Sequence, residues 1–316
     1  MKMLAETGSN QTYGVDASFA FQDNVTLFGY LAATRTDGLT GDDKSYRSQI
    51  SYNGATWGAN MGHLFVGDDF NPEVGFARRK GFRQSMMSGR YSPRPASVER
   101  IRRLLFQAGV EYLENARRGV LEARDQDVHF GIELENSDSF NASYTESFER
   151  LFNDAPILGT TIAAGGYSTK NVQVSYGFGS QRPYSGALTF QRGDYYTGRR
   201  TSLGFSQGRI EILRQLSLEP TLAFNWISLP QGDFDQHLAL ARVNYSVSPR
   251  MYVRAIVQYN SGSDSFSSNL RLRWEWAPGS EVFVVYTEER DTDVLDRWSE
   301  LANRGLVIKV TRLLRL

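Results

Sequence analysis

Ser206 is the residue best placed by its neighbours for covalent chemistry. Gly204-Phe-Ser206-Gln-Gly208 matches the G-x-S-x-G pattern of a hydrolase nucleophile elbow, and Asp233, Asp235 and His237 follow in triad order. That motif requires a strand-to-helix turn with the serine at its apex. Here the acid and base candidates are only a few residues apart, and Ser206 fits the polar side of an alternating strand, which is the simpler reading. His63, His129 and His237 are isolated from one another in the sequence. None has a metal-ligand spacing such as H-E-x-x-H, so a loop or lumen-facing role is expected and no metal is implied. Asp68, Asp69, Asn71 and Glu73 offer oxygens to a hard cation but lack the EF-hand spacing, so a solvated acidic loop is expected. No cofactor fingerprint is present, and no catalytic residues are expected.

The remaining charged residues of interest alternate with apolar ones. Arg254, Arg271, Arg273, Glu275 and Lys309 fall on the polar side of period-two segments, and Arg124 is a further candidate. Charged rows of this kind set solute selectivity when they line a pore. They fill a closed lumen when they pair across strands. Both readings stand at this point.

The elements that must hold these residues are strands. In Arg250–Gly279, Met251, Val253, Ala255, Val257 and Tyr259 oppose Tyr252, Arg254, Gln258 and Asn260. After the turn-like NSGSDS, the residues Phe266, Leu270, Leu272, Trp274 and Trp276 oppose Asn269, Arg271, Arg273 and Glu275. Successive strand side chains point to opposite faces, so this is a hairpin with one apolar and one Arg-rich face. A soluble sandwich or a transmembrane barrel gives that pattern. The strand length of about ten residues suits a tilted bilayer crossing. Tyr259, Trp274 and Trp276 sit near strand ends, where a lipid-interface aromatic girdle belongs.

The same rhythm runs through most of the 316 residues. Lys and Arg balance Asp and Glu at 35 each, so no basic field points to nucleic acid. Mean hydropathy is −0.41, which polar lumen faces and loops accommodate. There is no Cys, hence no disulfide framework and no thiolate chemistry. No apolar run is long enough for a transmembrane helix, and MKMLAETGSNQ lacks the apolar core of a signal peptide.

Taken in order, the pattern predicts strands over 12–21 and 25–35, with Phe28, Tyr30 and Ala32 sharing a face, then 46–53 and 57–66. Gly67–Gly81 is too long for a hairpin turn and reads as a functional loop. Strands follow over 82–91, 101–114 and 120–135, although 98–115 also fits an amphipathic helix. From 139 the candidates are 139–150, 159–167, 171–179, 184–192, 199–207, 216–228, 237–247, 250–260, 266–276, 281–289 and 304–314. The total of about eighteen is even, as single-chain bacterial barrels require. Short inner turns are expected at 180–183, 246–250 and 277–280, and outer loops at 229–235, 261–265 and 290–303. Counted back from the C-terminus, 67–81 falls on the inner side, which conflicts with its length. The last strand, Asn303–Val310, looks like a C-terminal barrel-assembly signal, with Ile308 and Val310 where aromatics are usual and TRLLRL at the end.

Several segments together carry a resemblance. DDFNPEVGFARR (68–79), FERL (148–151), LPQGDF (229–234), VQYNS (257–261), NLRLRWEW (269–276), VFVVYTEERD (282–291) and KVTRLLRL occur in an order and spacing similar to an uncharacterised family. The chain, from roughly residue 60 onward, resembles the C-terminal β-barrel region of large outer-membrane proteins of Gram-negative bacteria that carry a carbohydrate-binding-family-nine-like domain ahead of the barrel. The resemblance implies one barrel domain over 1–316 that is truncated at its N-terminus, with the export signal ahead of it. It carries no catalytic residues over.

The expected fold class is therefore all-β, an antiparallel transmembrane β-barrel of about 16–18 strands, complete or incomplete. The expected role is a channel or receptor for a solute, with a carbohydrate-derived solute suggested by the resemblance. The alternatives are a non-conducting barrel that anchors another domain and a soluble β-sheet binding protein. Expected partners are outer-membrane lipid, the barrel-assembly machinery and a glycan or small solute.

Overall fold

The computed structural model describes residues 2–5, 8–157, 160–293 and 300–314. Among them it contains strands and no helix. In chain order these are β1 (Lys2–Ala5), β2 (Gly8–Phe21), β3 (Val25–Thr36), β4 (Lys44–Asn53), β5 (Trp57–Val66), β6 (Phe82–Tyr91) and β7 (Ile101–Asn115). Then come β8 (Val120–Leu134), β9 (Ser139–Leu151), the short β10 (Ala155–Ile157) and β11 (Thr160–Ile162), and β12 (Gly165–Phe178). The rest are β13 (Tyr184–Tyr195), β14 (Gly198–Leu213), β15 (Leu216–Leu229), β16 (Gly232–Ser248), β17 (Met251–Asn260), β18 (Ser265–Ala277), β19 (Ser280–Asp291) and β20 (Glu300–Thr311). Eighteen belong to one sheet, and β10 with β11 form a separate two-stranded one. The fold is all-β and antiparallel, the architecture of the transmembrane-barrel class. Residues 101–115 are strand and not helix: Phe106 and Val110 pair with Tyr91 and Met87 of β6 in a continuous ladder.

Contacts divide the chain into two compact units, 1–132 with 142–172 and 133–141 with 173–316. The first holds the meander β2 to β7. Tyr13 faces Ala33, Val15 faces Leu31 and Phe19 faces Leu27, so these residues share one side of the sheet. Through Leu31↔Tyr46 and Tyr46↔Phe65 the same side continues across β4 and β5. It is apolar and outward: Val15, Leu31 and Met61 are 68%, 59% and 61% exposed. Phe28, Tyr30 and Ala32 lie on the other side, opposite Gln49, Arg47 and Ser45, so the aromatic residues of β3 join the polar face. The Arg47 guanidinium stands 5.9 Å over the Phe28 ring, and the Tyr30 hydroxyl lies 3.0 Å from Ser45 Oγ.

The second unit holds β13 to β20, joined mostly by tight turns. Alternation again sorts the residues. Val257 and Tyr259 oppose Ser268 and Phe266, and Val253 and Met251 oppose Leu272 and Trp274, all on one side. Buried apolar residues are few among those described: Phe65, Val66, Phe70, Phe82, Ile162, Ile227 and Leu229. The sheet's apolar side is uncovered instead of packed into a core.

Two sequence expectations change. Residues 159–167 and 171–179 are not two strands. Residues 165–178 form the single strand β12, preceded by the small β10–β11 hairpin. Ser168, Thr169, Lys170 and Asn171 have turn-forming composition, but an extended neighbour overrides such weak preferences. Removing one strand reverses the parity of every connection upstream. With one strand fewer in the count, 67–81 is no longer assigned to the short-turn side, and the conflict with its length disappears. The expected outer loop over 229–235 shrinks to Pro230 and Gln231, because β15 and β16 pair in register up to Leu229↔Gly232. Part of the expected 290–303 loop lies outside the described residues.

Candidate functional site

Each unit presents a cationic cleft. In the first unit the cleft depends on how the 67–81 loop folds. Its Phe70 is buried with Val66 and Phe82, and Ala32, Leu64 and Leu113 pack around them. Those strand residues all belong to the polar face: Val66 opposes Ser45, Leu64 opposes Arg47, and Gln84 opposes Leu113. The loop therefore folds back over the sheet and lies on that face. Asn71 fixes it there. Its carbonyl accepts from Asn10 Nδ2 at 2.7 Å and its N–H donates to Thr34 Oγ1 at 2.9 Å, both on almost fully buried partners. Asp69 accepts from the Gly41 N–H, and the Asp69 N–H donates to the Asp42 carbonyl at 2.9 Å. Of the loop's acidic side chains, Asp69 thus helps to hold it, while Glu73 accepts from Asn71 Nδ2 at 3.2 Å within the loop. No group of acidic or His side chains able to hold a metal occurs among the described residues.

Beside this loop is a cleft of about 780 Å³, lined by Asp68, Arg79, Lys80, Arg117, Arg118 and Glu122, with Arg150 and Phe152. Arg79 pairs with the buried Glu122 carboxylate, which also accepts from Asn115 Nδ2 at 2.7 Å. Arg117 lies 3.9 Å from Asp68. The Arg118 guanidinium sits 4.8 Å over the Phe152 ring. Arg150 donates to the Leu121 carbonyl at 3.1 Å, and Lys80 donates to Asn71 Oδ1 at 3.0 Å. Cations outnumber carboxylates, and an exposed aromatic stands at the rim.

The second unit's cleft has a volume of about 570 Å³ and lies against the β14–β15 turn at Arg214 and Gln215. Its floor is the polar face of β15 to β18. Arg242 opposes Glu219, Asn244 opposes Arg254, and Arg254 opposes Arg271. Arg242 donates to Glu219 at 3.1 Å, and Arg209 pairs with Glu211 at 2.9 Å. Asn244 donates to Glu219 at 2.9 Å and accepts from Arg254 Nε at 2.8 Å. Arg271 Nε donates to Asn269 Oδ1 at 2.8 Å.

In the second unit, Arg254, Arg271, Arg273, Glu275 and Lys309 fall on one face of the sheet but into two kinds of setting. Arg273 donates to Glu281 at 2.7 Å and lies 3.9 Å from Glu275, whose carboxylate accepts from the Gly279 N–H at 3.0 Å. These form a cross-strand ladder. Lys309 opposes Phe283 and stands apart from the cleft. Arg254 and Arg271 face each other, with no carboxylate partner among the described residues. Arg124 lies 3.5 Å from Glu146. Tyr259 and Trp274 lie on the opposite, apolar face, with Trp276 two residues further along the same strand. The ring centroids of Trp274 and Trp276 are 6.3 Å apart. Arg242, Glu219 and Asn244 were not singled out. The alternation of LALARVNYSVS marks Arg242 and Asn244 as polar-face residues, but their importance depends on which strand lies alongside. Arg117 and Arg118 of the β7–β8 turn and Arg150 near the end of β9 carry no sequence signal, since they meet one another and the 67–81 loop only in three dimensions.

Ser206 sits within β14 beside a bulge in which Gln207 has φ 51°. No strand-to-helix turn is present, so the nucleophile elbow is not formed. His63 and His237 are strand residues on the apolar face and not in a loop or on the polar side: His63 stacks on Tyr46 at 5.9 Å, and His237 lies edge-on to Phe224 and Trp226 at 5.4 and 5.7 Å.

One acidic turn residue is held strongly outside the strands. Asp138, 3% exposed, accepts from the Gly179 N–H at 2.8 Å, Tyr176 Oη at 2.8 Å and Arg182 Nη2 at 2.9 Å. The backbone N–H of Gly179 foremost, with Tyr176 and Arg182, holds its carboxyl below the ordinary range.

No protein-family model matches the chain, and no curated protein does. Among solved structures it is similar to a mutant ferric enterobactin receptor, PfeA of Pseudomonas aeruginosa, with 12% identity and a TM-score of 0.41 over 89% of this chain and 53% of that one. A second PfeA mutant, in complex with enterobactin, gives 7% identity and 0.40 over 95% and 70%. The siderophore receptor PirA of Acinetobacter baumannii gives 6% identity and 0.39 over 96% and 70%. This chain spans about half the length of the first of these receptors. The strand pairing and register described above, not this likeness, define the fold.

Proposed function

We propose that the chain forms the wall of an outer-membrane β-barrel through which a solute passes or at which it is received. The observation that carries this reading is the sorting of side chains across the sheet. One side holds rows of exposed aliphatic and aromatic residues running from strand to strand. The other holds Arg, Asn, Gln and Ser. Exposed apolar area on that scale calls for a non-aqueous neighbour. Lipid is the fitting one, because the strands are long enough. A twelve-residue strand such as β3 spans roughly 40 Å at 3.3 Å per residue, hence about 28 Å when tilted near 45°, close to the apolar band of such barrels. On this reading Tyr259, Trp274 and Trp276 are lipid-interface anchors. Arg254, Arg271, Arg273, Glu275 and Lys309 face the lumen. The inward 67–81 loop narrows it.

The reading covers a polar solute in general; a glycan-derived one rests on the family resemblance alone. Refolding in micelles against plain buffer tests the wall, and conductance in planar bilayers tests the passage. Folding only in detergent with measurable conductance is expected. A folded monomer in buffer would remove the membrane reading. A detergent-folded protein without conductance would leave a receptor or an anchoring wall in place of an open channel.

A further inference from the structure

We infer that the cleft over β15 to β18 binds an oxyanion, a phosphate- or carboxylate-bearing solute, between Arg254 and Arg271. The inference rests on the polar face being the solute-facing one, as proposed above.

Arg254 and Arg271 are directly opposed in register on neighbouring antiparallel strands. Opposed residues have Cβ atoms only about 5 Å apart, and like charges there repel. A sheet stabilised by its own contacts would place a carboxylate at one of the two positions. Nearby on the same face, Arg273 opposes Tyr252 and not another cation, and it reaches Glu281 of the next strand diagonally at 2.7 Å. At the 254–271 pair none is within reach. The nearby carboxylates are already engaged: Glu219 takes Arg242 and Asn244, and Glu211 takes Arg209. Arg214, at the mouth, adds a further cation without a carboxylate partner among the described residues.

The two guanidinium groups are also oriented. Each uses its Nε on an amide oxygen, Arg254 on Asn244 and Arg271 on Asn269. That leaves the outer Nη edges for a ligand. A guanidinium edge is a planar fork matched to two oxygens of a carboxylate or phosphate. Two forks side by side fit an anion with three or four oxygens better than a halide. Asn244 acts as a positioning residue, because the same amide donates to Glu219 and accepts from Arg254.

The test is a titration of the full chain, refolded in nonionic maltoside micelles, with inorganic phosphate, followed by phosphorus NMR line broadening. Saturable binding that weakens with added salt is expected, with a loss of tenfold or more in Arg254→Gln/Arg271→Gln. Arg254→Lys/Arg271→Lys keeps the charge and loses the fork, and should retain only part of the affinity. Heat-modified gel mobility checks that each variant is folded, and single Arg271→Gln replaces the double variant if that one does not fold. A parallel arm adds anionic phospholipid to the micelles. Competition with phosphate only through the apolar surface, unchanged by the Arg variants, would assign the phosphate affinity to lipid contact and overturn the proposal. So would unchanged phosphate binding in the Gln variants, or no binding by the wild type at millimolar phosphate. Because binding is read without current, a protein that binds phosphate but does not conduct loses the channel reading and keeps this site.

Discussion

Arg271 and Asp138 show opposite uses of charge. Arg271 faces Arg254 and is repelled by it, so Arg271→Gln should not destabilise the fold. A gain of roughly 0.5 kcal/mol is expected from relief of a like-charge pair, read as an unchanged or slightly raised midpoint in the heat-modified mobility assay. Asp138 is the reverse. Its carboxylate accepts from Gly179 foremost, then Tyr176 and Arg182, and its proton affinity is lowered in the folded state. A lowered carboxyl pKa adds stability that is fully present above the unfolded value near 4 and is lost as pH falls through the folded value. Asp138→Asn should therefore lower the melting midpoint at pH 7, and the gap to wild type should close as the pH falls below about 4. A gap that stays constant from pH 7 to pH 3 would show that the carboxylate's charge contributes nothing.

At the scale of elements, the faces of the strands and the fold of one loop matter most. Leu270 lies mid-strand in β18 on the apolar face, opposite Ala255 and Tyr286. Leu270→Arg should cost about 2–4 kcal/mol, the penalty for a cation facing lipid near the midplane. Gln258→Arg, on the polar face of β17, should be close to neutral. Urea midpoints in micelles compare the two, and equal costs would contradict the two-faced wall. The 67–81 loop is held by one buried ring, the Asn71 hydrogen bonds and the contacts of Asp69 with Gly41 and Asp42. Phe70→Ala should release it at a cost of about 3 kcal/mol, raising its local opening roughly 100-fold. Limited proteolysis should then cut within 67–81 while the strands stay protected. Resistance equal to wild type would mean that the hydrogen bonds of Asn71 and Asp69 hold the loop without the ring.

What was legible in the sequence follows the same division. Strand existence, the β17–β18 hairpin and the sidedness of Arg254, Arg271, Arg273 and Glu275 were readable, because a period of two is a local signal. The nature of each charge was not. Whether an Arg is paired depends on the neighbouring strand's register, so Arg273 in its ladder and the exposed Arg254–Arg271 pair look alike in one dimension. The sidedness of Phe28 and Tyr30 was hidden by their apolar character. The path of 67–81 back over the sheet was hidden because Phe70 meets Phe82 and Ala32 only in three dimensions. The extra strand placed between 159 and 179 came from polar residues with turn-forming composition inside an extended segment.

For the molecule as a whole, the expected behaviour follows from having few buried apolar residues and many uncovered ones. In plain buffer the chain should fail to fold or should aggregate through its apolar face. In micelles it should give a β-rich circular dichroism spectrum and a heat-modified gel shift. A long plateau of folded monomer in detergent-free buffer would contradict that expectation. A charge balance of 35 against 35 does not oppose an anion preference, since selectivity is set by what lines the path and not by the net charge.

The second unit from β13 to β20 is a meander in which each strand pairs with the next along the chain. Such a wall can grow or shrink over generations, but only in steps of two. Copying or deleting one hairpin leaves every later strand running in its original direction and every later connection at its original end. Gaining or losing a single strand would reverse all the later strands and carry their tight turns and long loops to the opposite edge of the sheet. Lineages of this wall should therefore differ by whole hairpins, and the tight turns, such as Pro230–Gln231 and Pro278–Gly279, are the natural seams.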